Sequence, residues 1–221
     1  LLGATVSGVS GSMYASHTKL SHVMCIPVPG GIAADDAASS FVNPLTALGM
    51  TETMRLEGHS AIVHTAAASN LGQMLNRLCQ ADGIPLVNVV RRNEQADLLR
   101  AAGADHVVVS SVDSFADDLT AAITATGATL AFDAIGGGEQ VDTLLTSMEK
   151  ASSAGQAFSR YGSDTHKQVY IYGALDFAPT TISRNFGFSW AVGGWLLPNF
   201  LQRAGGERMQ RMQRRVADEL T

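Results

Sequence analysis

From Ser60 onward, apolar runs of strand length alternate with amphipathic segments of helix length, and this alternation restricts the fold more than any other feature. Strands that helices cover on both faces read as near-continuous apolar runs. Leu86-Val87, Val89-Val90 and Val107-Val108-Val109 read that way. The pattern predicts strands at residues 61–65, 86–90, 106–109, 129–132, 168–172 and 188–192, with helices near 71–80, 94–102, 114–124 and 138–148. Such an order requires right-handed crossovers and a doubly wound α/β layout. The ligand crevice of such a sheet lies at the carboxyl ends of the strands, where the strand order reverses.

The flanking regions are less regular. Ser10-Gly11-Ser12 reads as a turn, and strand-like stretches lie around Tyr14 and over residues 22–26. Pro27, Pro29 and Gly30-Gly31 close this piece, which shows no core of its own. Asp35-Asp36-Ala37-Ala38 opens a helix, and Asn43-Pro44 starts a second one, since proline suits a first helical turn. After the last strand, residues 195–202 and 207–220 read as helical. Five arginines between Arg203 and Arg215 stand against Glu207, Asp218 and Glu219, leaving +2, which reads as a solvated helix face. Met209 and Met212, at helical spacing, read as a core face.

Composition narrows the classes further. With 46% apolar and 16% charged residues in 221, the chain can bury a core without disulfides and is not a disordered tail. A net charge of −5 offers no basic field to nucleic acid phosphates. No stretch reaches the ~18 apolar residues of a membrane helix, because Gly193, Gly194 and Pro198 interrupt the richest region. Neither nucleic acid nor membrane is an expected partner. Cys25 and Cys79 lie far apart with no ligand spacing for zinc, which points to free thiols in a reducing cytoplasm. The chain begins at Leu1 without a basic leader, and its start reads as a cut.

The segment Ile62-Val63-His64-Thr65-Ala66-Ala67-Ala68-Ser69-Asn70-Leu71-Gly72 runs from a strand through small residues into a helix. Small residues there let the backbone approach a pyrophosphate, and the helix N-terminus offers unpaired N–H groups to it. The dinucleotide frame reads Ala67-x-Ser69-x-x-Gly72, with only the third glycine kept. Alanine serves the turn if its φ stays negative, and Ser69 and Asn70 add side-chain donors. Taken alone, the loop also fits an ordinary strand-to-helix turn. The next strand ends in Val90-Arg91-Arg92-Asn93, with no acid for a ribose 2′-hydroxyl. Guanidinium groups suit a 2′-phosphate, so this tip points to NADP, the competing reading being two solvated charges. His64, inside the strand, reads as a hydrogen-bonded structural histidine.

Several motifs, in order, resemble the zinc-independent branch of the medium-chain dehydrogenase/reductases, which holds quinone oxidoreductases and enoyl thioester reductases. They are Gly11-Ser12-Met13-Tyr14-Ala15, then Ala37-Ala38-Ser39-Ser40-Phe41-Val42-Asn43-Pro44-Leu45-Thr46-Ala47, and the alanine-rich loop. Leu99-Arg100-Ala101-Ala102-Gly103-Ala104-Asp105-His106-Val107, Phe132-Asp133-Ala134-Ile135-Gly136-Gly137 and Val169-Tyr170-Ile171-Tyr172-Gly173-Ala174 complete the set. The resemblance implies a Rossmann-type doubly wound parallel sheet of about six strands with helices on both faces. It implies that residues 1–29 are the trailing strands of a truncated GroES-like catalytic domain and residues 30–221 the NAD(P)-binding domain.

The same resemblance implies roles for residues. Thr46 and Asn43 stand beside the nicotinamide, and Ala68, Ser69, Asn70 and Leu71 form the pyrophosphate turn. Arg91 and Arg92 face the 2′-phosphate. Ala134 and Ile135 form the loop after the fourth strand, and Tyr172, Gly173 and Ala174 offer backbone to the nicotinamide amide. The zinc branch carries a ligand cysteine at or beside Val42; none stands here, so no metal is expected. A proton donor is expected in the missing domain, while Tyr14 and Tyr170 read as packing residues. The expected activity is NADPH-dependent reduction of a quinone or of a conjugated enone or enoyl thioester, with this portion inactive alone. A non-catalytic NADPH-binding sensor or structural protein is the alternative, and an adenosylmethionine-dependent methyltransferase fits the arginine pair poorly. The apolar strand Phe188 to Val192 is expected to pair across a two-fold axis in a homodimer, or else to be covered by a longer tail.

Overall fold

The computed structural model describes residues 2–219, which form two compact units, residues 2–49 with 197–219 and Met50–Leu196. In the first, strand β1 (Val6–Gly8) pairs antiparallel with β2 (Cys25–Pro27), and helix α1 (Ala34–Ala38) follows. Helices α7 (Leu197–Ala204) and α8 (Gly206–Asp218) belong to the same unit, with α8 against β2 and Gln213 Nε2 donating to Val23 O at 2.9 Å. Helix α2 (Val42–Leu56) crosses the boundary between the units.

Three expectations fail in this region. The stretch around Tyr14 forms no strand, and the Tyr14 side chain is fully exposed instead of packed, because a serine- and glycine-rich turn holds it away from any apolar neighbour. Residues 22–24 form a 3-10 turn, so only Cys25 to Pro27 of the expected strand pair. Strand β1 carries no apolar alternation, so no periodic pattern marks it. In α8, Met212 and Val216 are buried and Met209 is half-buried, while Arg211 and Arg214 are exposed and Arg208 and Arg215 half-buried, with Arg211 on Glu207 and Arg215 on Glu219 one turn away. The last residue of that expected helix, Leu220, lies outside the described residues.

The second unit is a Rossmann-type α/β domain. Its strands are β3 (Ile62–His64), β4 (Leu86–Val90), β5 (His106–Val109), β6 (Leu130–Asp133), β7 (Lys167–Ile171) and β8 (Trp190–Gly194). All pair in parallel, in the order β5-β4-β3-β6-β7-β8, and the chain's progress across the sheet reverses between β3 and β6. Helices α3 (Asn70–Asp82), α4 (Asn93–Ala101), α5 (Phe115–Thr126) and α6 (Gln140–Ser153) make the crossovers from β3 to β7, and an irregular loop connects β7 to β8. On one face Val63, Val87, Val89, Ala131 and Val169 pack with Leu119 and Ile123 of α5 and Leu144, Leu145 and Met148 of α6. On the other, Val90 and Val109 pack with Ala96 and Leu99 of α4. Each buried aliphatic side chain contributes roughly 1.5–3 kcal/mol, which is why both faces must be covered.

The last strand and helix boundaries move for physical reasons. Strand β8 starts at Trp190, not at residue 188: Phe188 is 80% exposed and its N–H is taken by Tyr161 O at 3.2 Å. The strand extends instead into Gly193 and Gly194, opposite Tyr170 and Ile171, and a Cβ on Gly193 would sit 3.4 Å from the Tyr170 ring. Trp195 opens no helix; it is buried, edge-on to Phe132, and donates from Nε1 to Thr53 Oγ1 at 3.1 Å. Helix α6 begins at Gln140, since Gly136 and Gly138 hold φ of +81° and +67°, and it runs on to Ser153.

Candidate functional site

A cavity of about 890 Å³ opens at the carboxyl ends of β3, β4, β5 and β6, on the side where the strand order reverses. Its wall is built from the loops that leave these strands, as the topology requires.

The turn after β3 is tighter than its sequence shows. Ala66 adopts φ of +52°, a left-handed conformation that costs an alanine roughly 1 kcal/mol. The condition of negative φ therefore holds at Ala67 and fails one residue earlier. Ala67 N donates to Val89 O and Ser69 N to Ala66 O, at 3.1 and 3.0 Å, so the turn is pinned to β4. Ser69 caps α3, its Oγ accepting from Gly72 N at 3.1 Å. Its O–H remains able to donate, while the Asn70 and Leu71 amides stand in the first turn without an intrahelical acceptor. Gly72 meets the turn so closely that a Cβ there would run into the Ala67 carbonyl oxygen.

At the end of β4, Gln95 Oε1 accepts from both the Arg91 and Arg92 amides at 3.1 Å, which holds the tip closed over the start of α4. Arg91 lines the cavity beside Val90, Gln95 and Ser110. Arg92 does not; its side chain is 61% exposed, with Nε 4.0 Å from Glu94 Oε2.

Strand β6 ends in Asp133, which is buried and fully used. Its Oδ1 accepts from Thr65 Oγ1 at 2.7 Å and from Ile135 N at 3.1 Å, and its Oδ2 from Gly136 N at 2.8 Å. Thr65 Oγ1 in turn accepts from Ala134 N at 2.8 Å. The loop after β7 is laid against this turn, with Leu175 N on Ala134 O at 3.1 Å and Asp176 N on Ile135 O at 2.9 Å. Leu175, Asp176, Phe177 and Ala178 thereby complete the cavity wall.

Next to Thr65, His64 is wholly buried, its Nε2 2.7 Å from the Tyr172 hydroxyl and its ring stacked on the tyrosine at 5.7 Å and 16°. Burial holds the imidazole at a pKa of about 4, so it is neutral at pH 7. Burial, and then the Asp133 carboxylate, push the Tyr172 hydroxyl above its ordinary value. The hydrogen-bonded structural histidine expected at this position is thus observed.

Of the residues singled out by sequence, Ala68, Ser69, Arg91 and Ile135 line the cavity, and Asn70 and Leu71 open the adjoining helix. Ala134 is buried behind Ile135, and Tyr172, Gly173 and Ala174 form the base of the wall formed by residues 175–178. Asn43 and Thr46 fall in the first unit, on the opening turns of α2, where Thr46 Oγ1 donates to Val42 O at 2.7 Å. Sequence reasoning misses Thr65, Gln95, Ser110, Gln140 and residues 175–178. Thr65 and Ser110 carry a usable signal, each standing at the carboxyl end of a strand; the rest follow no local pattern. Among the described residues, no group of three or more His, Cys, Asp or Glu is placed to hold a metal.

The fold and this cavity together define a dinucleotide-type α/β domain. No family model matches the chain. It is 35% identical over 88 residues to the mitochondrial enoyl-[acyl-carrier-protein] reductase of Bos taurus, a match covering 38% of this chain and 24% of the bovine one. A Mesorhizobium loti protein assigned as an NADPH:quinone reductase superposes with a TM-score of 0.71 at 28% identity, over 89% of this chain and 54% of that one. A mycobacterial protein solved with NADPH superposes with a TM-score of 0.65 at 20% identity, over 89% and 56%. In sequence and fold the chain is similar to the quinone and enoyl thioester reductases of the medium-chain dehydrogenase/reductase superfamily, as the order of its motifs implied. It spans about half the length of these solved structures and matches about a quarter of the curated relative.

Proposed function

We propose that this chain is the NADP(H)-binding portion of a zinc-independent oxidoreductase that reduces a quinone or a conjugated enone or enoyl thioester. The observation that carries the reading is the tip of β4, where Arg91 enters the cavity wall and no carboxylate stands in its place. A ribose 2′-phosphate there meets a guanidinium fork, whereas a 2′-hydroxyl meets no carboxylate at the strand tip.

The residues fit the cofactor. The Asn70 and Leu71 amides and the Ser69 hydroxyl face the pyrophosphate across the small side chain of Ala68, with the positive end of the α3 dipole behind them. Arg91 binds the 2′-phosphate and Arg92 adds charge at the rim. Ala134 and Ile135 shape the ribose wall. The Tyr172, Gly173 and Ala174 backbone serves the nicotinamide amide. NADPH, when bound, supplies the hydride; the chain's own groups bind, orient and exclude water. Residues 1–29 are read as the end of a barrel-type catalytic domain and residues 30–221 as the cofactor domain, so the proton donor is assigned to that other domain and this portion is inactive alone. A second reading, an NADPH-binding sensor without catalysis, draws on the turn that keeps one glycine of three and strains Ala66.

Titration of the 221-residue chain with NADPH and NADH decides the cofactor. NADPH is expected to bind more tightly, and Arg91→Asp to weaken it by about 10- to 100-fold with little effect on NADH, the worth of one charge-assisted contact. The same preparation should turn over no quinone or enone. Equal affinity for NADH removes the 2′-phosphate role, and robust turnover removes the claim that catalysis needs another domain.

Strand β8 leaves one edge of the sheet unpaired among the described residues, and the proposed homodimer forms across that edge, from Trp190 to Gly194 where the structure has the strand, not from Phe188 to Val192. Sedimentation as a monomer at micromolar concentration would remove this proposal. Among the described residues, no helix is long and apolar enough to cross a membrane. The free Cys25 and buried Cys79 support a reducing compartment, the cytoplasm in the first instance, although the matched bovine reductase is mitochondrial.

A further inference from the structure

His64 and Thr65 are consecutive residues that grip two different loops. Thr65 holds the turn after β6, through Asp133 Oδ1 and the Ala134 amide. His64 reaches past β6, which lies between β3 and β7, to hold the Tyr172 hydroxyl at 2.7 Å. Tyr172 itself is fastened to β6 by its N–H on Asp133 O at 2.9 Å, and Gly173 lies so close to Ala134 that a Cβ would fall 2.8 Å from its carbonyl oxygen. The segment that His64 holds is therefore the base of the wall at Leu175 and Asp176, which line the cavity.

The imidazole is not there for packing alone. His64 Nδ1 is buried and has no hydrogen-bond partner among the described residues, a cost that an aliphatic side chain of similar size would not carry. Nε2 and the phenol oxygen are joined at 2.7 Å whichever of the two carries the shared proton. What the imidazole provides in exchange is a fixed hydrogen-bond partner for the Tyr172 hydroxyl.

We propose that His64 is a positioning residue for the nicotinamide half of the dinucleotide, acting through the Tyr172 hydroxyl on the backbone of Tyr172, Gly173 and Ala174. This rests on the NADP(H) reading above and deepens it. The adenine half, bound at the ends of β4 and β5 on the far side of β3, does not depend on the pair.

The wild-type chain and the variants His64→Leu, His64→Gln, Tyr172→Phe and His64→Leu/Tyr172→Phe are titrated with NADPH and with 2′-phospho-ADP-ribose, which lacks the nicotinamide. His64→Leu and Tyr172→Phe are each expected to weaken NADPH by about fivefold, the worth of one positioned hydrogen bond, and to leave 2′-phospho-ADP-ribose within about twofold. The double variant should be no weaker than either single one, because both remove the same contact. His64→Gln, whose amide can reach the same hydroxyl, should recover most of the loss. The fluorescence of bound NADPH should shift in the two weakened variants and return in His64→Gln. An equal loss for both ligands, additive losses, or NADPH binding unchanged in Tyr172→Phe overturns the proposal. Should His64→Leu fail to fold, Tyr172→Phe, which keeps the ring stack, carries the same comparison. A wild-type chain that binds neither ligand removes the cofactor reading and this one with it. A wild-type chain that binds both, with the variants unaffected, removes only the role of His64.

Discussion

Replacing Gly72 by alanine is expected to lower stability by about 3 kcal/mol and to abolish tight NADPH binding, an overpacking penalty at the upper end because the obstacle is backbone. The added methyl meets the Ala67 carbonyl oxygen, which cannot rotate away as a side chain would. Nor can the turn retreat, since Ala67 N is held by Val89 O at 3.1 Å and Ser69 is held through its own amide and its cap on α3. Either α3 lifts from the sheet or the turn opens, and both displace the Asn70 and Leu71 amides from a bound pyrophosphate. Denaturant unfolding and NADPH titration measure the two effects separately. Gly206→Ala is the control, because a Cβ there meets nothing within 4 Å and the position opens α8. A Gly72→Ala chain as stable as wild type, binding as tightly, would show that the helix and turn are not in close contact.

Glu149→Ala is expected to cost about 3–5 kcal/mol, the usual result of stranding a buried charge. Lys167 is wholly buried, and its ammonium uses all three protons, on Glu149 Oε2 at 2.6 Å, Thr165 O at 2.9 Å and Ser163 Oγ at 3.2 Å. Glu149 also accepts from Ser153 Oγ at 2.7 Å and from the Ser163 amide and hydroxyl at 2.8 Å. The network ties residues 154–166 to α6 and β7, beneath the contact between Gly162 and Gly187. Glu149→Leu/Lys167→Met, which removes both charges, should lose less than Glu149→Ala alone, and a double-mutant cycle by denaturant unfolding reads the difference. A Glu149→Ala cost under about 1 kcal/mol would show that water reaches the ammonium.

Acid unfolding carries the same network. Burial alone would raise the Glu149 carboxyl, but hydrogen bonds from Lys167, Ser153 and Ser163 outweigh it and hold the pKa at about 2 against an ordinary 4.5. The folded value lies below the unfolded one, so this stabilisation is complete above about pH 4.5 and is lost as pH falls toward 2. The slope of unfolding free energy against pH in that window should flatten in Glu149→Ala. His64 acts earlier: buried and neutral, it must gain a proton on unfolding, and its contribution declines as pH falls from 6.5 toward 4.

Much of the fold is legible in the amino-acid sequence, because a strand buried on both faces and a helix buried on one leave different periods in the chain. β4 and β5 fall where the apolar runs place them, and β3, β6 and β7 within one residue. β8 shifts by two because the apolar pattern favours Phe188 over two glycines, whereas the Phe188 N–H bonds to Tyr161 O and Gly193 and Gly194 pair with Tyr170 and Ile171 of β7. The site is legible where local chemistry suffices: Ser69 as a cap, Gly72 as a point of close approach, Arg91 at a strand tip without an acid. Residues 172–189 show no period, so the wall from Leu175 to Ala178 stays hidden until the loop is laid on the turn after β6.

Periodicity and turn chemistry, both properties of neighbouring residues, are enough for the doubly wound sheet and the place of its crevice. Tertiary structure alone decides the strain at Ala66, the Thr65–Asp133 brace across 68 residues, and the His64–Tyr172 pair across 108. Those depend on sheet order and register, which set which distant side chains share a face and which polar groups must find partners away from water.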